Sequence, residues 1–123
     1  INLKQLLKFH EKHGKIGTIT TVHPSARFGE LDLKGNMVYR FKEKPQTKRS
    51  WINGGYFVFE PEFLKLIKSS STVLEKEPLE NLSKQKQLVA FKHEKFWQCM
   101  DTKRDKDFLE RLWNEKKTPW KCW

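Results

Sequence analysis

The sequence predicts an α/β fold built on a mixed sheet. Runs rich in Val, Ile, Thr and aromatic residues alternate with runs of helical periodicity, and one hairpin is inserted among them. No internal repeat, low-complexity stretch or second domain interrupts the pattern, and 123 residues with 37% apolar and 13% aromatic content can build one core.

The elements are taken in chain order. Asn2 to His13 carries apolar residues at 3, 6, 7 and 10, and Gly14 stops it, which predicts a helix. Ile16 to Val22 alternates partially and is rich in β-branched residues, so it is a strand ended by His23-Pro24-Ser25. Phe28 to Leu33 and Met37 to Lys42 flank Lys34-Gly35-Asn36, whose glycine suits the turn of a hairpin. Lys44 to Ser50 is polar, contains Pro45 and has almost nothing to bury, so it is a surface loop. Trp51 to Phe59 is apolar and aromatic, a central strand interrupted by Gly54-Gly55. Glu60-Pro61 opens a short helix through Ile67, and Ser69 to Thr72 is a turn.

Leu74 to Lys84 is helical, broken or started at Pro78, with Leu79 and Leu82 inward. Leu88 to Phe91 is a short strand, and Phe96 to Met100 is a candidate strand edge. Thr102 caps a last helix with Phe108, Leu109, Leu112 and Trp113 on one side, and Thr118 to Trp123 is an aromatic tail.

Charge narrows the function classes. The net charge of +10 admits a polyanion-binding module, yet Lys outnumbers Arg by 20 to 5 and the lysines are scattered through every segment. Base readout favours bidentate Arg, so no nucleic-acid partner is expected. Lys4, Lys8 and Lys12 form a row opposite Leu3, Leu6, Leu7 and His10, which is a solvated helix face. Two isolated cysteines, Cys99 and Cys122, make no disulfide framework or metal knuckle, and a reducing compartment is the default. No apolar run reaches the roughly 20 residues of a membrane span, and the start lacks the apolar core of a signal peptide, so a soluble cytoplasmic protein with no membrane partner is expected. The opening at Ile1, without an initiator Met and already helical, leads to the expectation of a piece of a longer protein lacking its amino-terminal part.

Three places carry candidate chemistry. Glu43 and Lys44 stand where a strand stops: the carboxylate can accept sugar hydroxyls and the ammonium can meet a phosphate as a point charge. The plain alternative is an exposed charged turn before Pro45. Asn53-Gly54-Gly55 implies a bulge or a close approach to the backbone, by a ligand among other candidates, or else an Asn-Gly hairpin. Asp101, between an apolar run and a helix start, can ligate Mg²⁺ or cap the helix. His10 and His13 have no third ligand nearby, so they are surface histidines rather than a zinc pair. Gly14-Lys15-Ile16-Gly17 matches the loop of KH domains but precedes a strand, and no dinucleotide fingerprint, P-loop or nucleophile elbow is present. Trp120 and Trp123 pack on the core or on a partner, the latter being the mark of a non-catalytic interaction domain.

Phe41-Lys42-Glu43-Lys44-Pro45, Ile52 to Phe59, Phe96 to Thr102 with Arg104-Asp105, and Pro119 to Trp123 stand in one order along the chain, with Glu75, Glu77-Pro78-Leu79 and Leu82 between them. Taken together they resemble the sugar-phosphate nucleotidyltransferases over the whole length, and within that family the members that use CTP. The resemblance implies a Rossmann-like, GT-A-like mixed sheet of which this is the incomplete carboxy-terminal portion. It implies a reaction of CTP with glucose 1-phosphate to CDP-glucose and pyrophosphate, serving nucleotide-sugar biosynthesis of the kind that feeds lipopolysaccharide O-antigen. It also implies roles: Glu43 on sugar hydroxyls, Lys44 on the sugar phosphate, Asn53, Gly54 and Gly55 beside the sugar, and Asp101 as one of two aspartates on Mg²⁺. The partners it implies are CTP, glucose 1-phosphate, the missing amino-terminal half and further copies in a homo-oligomer. Where the family carries a glycine before Phe96, this chain has Lys95. The family's glycine-rich nucleotide loop and second metal aspartate belong to the amino-terminal half, so catalysis by this stretch alone is not expected.

Overall fold

The computed structural model describes residues 1–24, 30–42 and 50–121. Its elements run α1 (Leu3–His13), β1 (Gly17–Val22), β2 (Glu30–Lys34), β3 (Met37–Lys42), β4 (Ile52–Phe59), a 3₁₀ helix (Pro61–Leu66), α2 (Glu77–Lys84), β5 (Leu88–His93) and α3 (Lys103–Asn114). The α/β class expected from the pattern is the one observed. The chain forms two units, one of Ile1–Val22 with Asn53–His93, the other of His23–Ile52 with Glu94–Trp123.

In the first unit α1 begins at Asn2, whose side chain accepts the Gln5 N–H at 3.1 Å, and ends at Gly14 in the left-handed region at φ 62°. Leu6 and His10 are buried, while Leu3 and Leu7 remain about half exposed, so the expected apolar stripe is buried along one line only. The burial of His10 corrects the expectation of a surface histidine: Thr18, eight residues on, comes back against the helix and gives the ring a polar partner.

The sheet of this unit has the order β4-β1-β5, with β1 and β5 parallel in register from Gly17↔Leu88 to Val22↔His93. The middle place therefore belongs to β1, whose Thr18, Thr20 and Val22 are fully buried. The strand expected to be central starts at Ile52, one residue later than expected, and lies at the edge of these three. Its Asn53 and Tyr56 are exposed, as befits an edge.

The core gathers Phe63, Leu79 and Leu82, with Ile16, Phe57, Phe59, Leu66, Leu74 and Leu88 packed against them. Phe59 and Phe63 stack with centroids 3.8 Å apart. The turn after Glu60 is a 3₁₀ helix rather than an α-helix: Phe63 N–H bonds to Glu60 C=O at 3.0 Å and Ile67 N–H to Leu64 C=O at 3.1 Å. Pro78 starts α2 instead of breaking it, since its missing N–H falls in the first turn, where no intrahelical acceptor exists. Strand β5 continues two residues beyond Phe91.

In the second unit β2 and β3 pair antiparallel across Gly35-Asn36, with an irregularity between Asp32 and Leu33 and an Asp32–Arg40 cross-strand pair at 3.9 Å. Phe96 to Met100 is not a strand; the Phe96 ring instead meets Trp120, centroids 5.7 Å apart. Helix α3 has no fully buried residue, and Trp113, expected on its apolar side, is about half exposed beneath the Lys121 ammonium at 5.0 Å.

Candidate functional site

Asn53, Gly54 and Gly55 are consecutive on β4, and the strand runs on through them to Phe59, which removes the hairpin alternative. Gly54 is buried: a Cβ there would lie 2.8 Å from Val22 Cγ1 and 3.1 Å from the Thr20 carbonyl oxygen. The close approach that the glycine pair signalled is thus made by β1, and what Gly54 can offer a ligand is backbone. Gly55 is different. It sits at φ +81° with nothing within 4 Å of a Cβ position, and its N–H donates to Asn53 Oδ1 at 2.8 Å. Asn53 therefore fixes a left-handed kink on the exposed side of an edge strand, a place where a polar molecule can reach the backbone.

Asp101 belongs to the other unit, immediately ahead of α3. The cap of that helix is Thr102, whose Oγ1 accepts the Asp105 N–H at 3.2 Å. Asp105 Oδ2 in turn accepts from Thr102 N–H at 3.1 Å and from its hydroxyl at 2.8 Å, while Asp105 Oδ1 accepts from Gln98 Nε2 at 3.0 Å. Asp105 is consumed by structure and Asp101 is not the cap, so of the two expectations for Asp101 the capping one falls away. Its exposed carboxylate is a hard oxygen donor of the kind Mg²⁺ takes singly or in pairs, and thus fits as one ligand. Nearby, burial first, and then the Asp105 and Asp101 charges, push the Cys99 thiol up, so it stays protonated and leaves the carboxylate as the better donor. Among the described residues no three His, Cys, Asp or Glu side chains gather as a metal centre.

Glu43 and Lys44 lie outside the described residues. The chain at Ser50 and Trp51 is anchored by a residue whose local pattern marks it only as a strand terminator: His23 Nδ1 donates to the Ser50 carbonyl at 2.9 Å, and its ring packs on Trp51 with centroids 3.8 Å apart. The His23-Pro24 pair signals a turn and nothing more, since a contact 27 residues away leaves no mark on local pattern.

The model of the nucleotidyl transferase family matches residues 1–115. The chain belongs to it. It is 46% identical to the glucose-1-phosphate cytidylyltransferase of Salmonella typhimurium over 123 residues, which is all of this chain and 48% of that protein. It is also 39% identical over 112 residues to the mannose-1-phosphate guanyltransferase of Saccharomyces cerevisiae, covering 86% of this chain and 30% of the relative. The chain thus spans about half the length of the cytidylyltransferase it matches. Among solved structures, a Bacillus anthracis protein described as a glucose-1-phosphate thymidylyltransferase, in complex with sucrose, shares the fold: TM-score 0.57, 14% identity, over 95% of this chain and 50% of that one. No helix among the described residues is long and apolar enough to cross a membrane.

Proposed function

We propose that this chain is the carboxy-terminal half of a glucose-1-phosphate cytidylyltransferase, which converts CTP and glucose 1-phosphate to CDP-glucose and pyrophosphate in the cytoplasm. The observation that carries the reading is the 46% identity maintained over the entire chain to an enzyme of that name. A phosphate oxygen of glucose 1-phosphate attacks the α-phosphorus of CTP in line, the bond to the bridging oxygen breaks, and pyrophosphate leaves with its electron pair. The protein's task is positioning and charge compensation.

This half supplies the sugar-phosphate side. Lys44 holds the phosphate of glucose 1-phosphate by charge, and Glu43 accepts hydrogen bonds from the sugar hydroxyls. Asn53, Gly54 and Gly55 border the sugar through the Asn53 side chain and through backbone, which the Gly55 kink leaves without side-chain cover. Asp101 is one of two aspartates that hold Mg²⁺; when bound, the ion offsets the charge of the nucleotide phosphates. The nucleotide loop and the other aspartate come from the amino-terminal half, and the whole protein assembles as a homo-oligomer.

The test is pyrophosphate release by the protein carrying both halves. Asp101→Ala is expected to abolish turnover with the far-ultraviolet circular dichroism unchanged; an active, folded variant removes Asp101 from the metal site.

A further inference from the structure

A group of side chains outside this site joins three elements of the first unit. Thr18 Oγ1, fully buried on β1, lies 2.7 Å from His10 Nδ1 and 2.7 Å from His13 Nε2, both on α1. His13 Nδ1 receives the backbone N–H of Lys15 at 2.9 Å, and His10 Nε2 faces Glu60 Oε1 at 3.3 Å, ahead of the 3₁₀ helix.

These partners fix where every proton sits. The Lys15 N–H only donates, so His13 Nδ1 must hold a lone pair, and the neutral ring then carries its proton on Nε2 and donates it to Thr18 Oγ1. On the far side the Glu60 carboxylate only accepts, so neutral His10 carries its proton on Nε2, and its Nδ1 accepts the Thr18 hydroxyl proton. The result is a one-way relay: Lys15 N–H to His13, His13 to Thr18, Thr18 to His10, His10 to Glu60.

The geometry points to a proton-sensitive latch, in which the Thr18 hydroxyl, through the two rings, ties α1 to β1 and to the start of the 3₁₀ helix, and which loosens at its Lys15 end when the His13 ring gains a second proton. The added proton can go only on Nδ1, where it meets the Lys15 N–H head on; two donors then face each other and the bond is lost. The groups facing His13 disfavour the cation. His10 stands beside it on α1, with ring centroids 5.2 Å apart, Lys15 comes two residues after it, β1 presents the uncharged Thr18, and Phe9 lies against its edge at 5.3 Å. Glu60 is the one counter-charge in the relay, and it faces the far nitrogen of His10. Burial first, then the His10 and Lys15 charges, hold His13 below the ordinary 6.5, against its own backbone contact, which pulls the other way. Because the folded ring binds its proton less tightly than the unfolded one, the stabilisation is complete above about pH 6.5 and is lost as pH falls from there through the folded value.

Two readouts test it on the histidine-¹⁵N-labelled protein. Long-range ¹H–¹⁵N correlation at pH 7.5 is expected to show His13 as a neutral ring protonated on Nε2, and His10 with a proton on Nε2. Thermal unfolding is expected to show a midpoint that falls between pH 7.5 and pH 5.5, with a clearly smaller fall in His13→Gln. An Nδ1-protonated or cationic His13 at pH 7.5, or an undiminished fall in His13→Gln, overturns the latch. If His13→Gln does not fold, the tautomers of the parent protein decide the matter alone.

Discussion

Gly54 and Val22 are in closer contact than any other residue at position 54 would permit. A Cβ on Gly54 would lie 2.8 Å from Val22 Cγ1, and 3.1 Å from the Thr20 carbonyl oxygen. The first neighbour is a side chain that can turn or be shortened; the second is backbone in the middle strand and cannot give. Gly54→Ala is therefore expected to cost about 1–3 kcal/mol, the usual range for overpacking. Val22→Ala in the same chain should recover part of that loss, and urea unfolding of the two single variants and the double variant measures the coupling. Additive losses would show that Val22 is not the obstacle.

At the next residue the constraint is conformational rather than spatial. Gly55 has open space around its Cβ position but a φ of +81°, so Gly55→Ala should destabilise by roughly 1–2 kcal/mol through backbone strain alone. Gly55→Asn should cost less, because Asn tolerates positive φ better than other side chains. Denaturant midpoints of the two variants give the comparison; equal losses, or a worse Asn, would mean that the kink is not what requires glycine.

The glycine pair was legible in the sequence as a bulge or close approach, yet the agent of that approach was not. Gly54 meets residues more than 30 positions earlier, and strand order is a property of the sheet rather than of any window within it. Local signals fared well wherever the physics is local. Asn2 and Thr102 cap their helices and Gly14 closes α1, because a cap is made of neighbours. Readings failed where apolar character has two outlets. Phe96 to Met100 looks like a strand, but its lead ring reaches Trp120. Trp113 shares the apolar side of its helix by periodicity, yet it stays half exposed under Lys121. His10 shows the converse, a polar residue made buriable by a partner on the next element. The candidate site residues rest on the motifs as an expectation, whereas the anchoring of Ser50 and Trp51 by His23 could be seen only in three dimensions.

Thr102 and Asp105 close a reciprocal cap, and Asp101 stands just outside it. Loss of the cap side chain in Thr102→Ala should cost about 1 kcal/mol of stability. Asp105→Ala should cost at least as much, because it also strips an acceptor from the part-buried Gln98 amide. Asp101→Asn should stay within about 0.5 kcal/mol of the parent, as surface changes away from caps and cores do. Chemical denaturation of the three variants separates a structural carboxylate from one kept for a ligand. A large loss in Asp101→Asn would give Asp101 a structural role.

Lys44 is the residue by which the sugar phosphate and the nucleotide can be told apart. If it meets the phosphate of glucose 1-phosphate, Lys44→Ala in the protein carrying both halves removes a charge-assisted contact, a loss of about 1.5–3 kcal/mol. That corresponds to a rise of roughly 10- to 150-fold in the KM for glucose 1-phosphate where KM reports binding, with the KM for CTP changed little. Lys44→Arg keeps the charge but replaces a compact ammonium with a broad planar fork, so it should recover only part of the affinity. Initial rates with each substrate varied in turn give both constants. A variant in which only the CTP dependence changes would transfer Lys44 from the acceptor to the nucleotide, and the division of labour between the two halves would have to be redrawn around it.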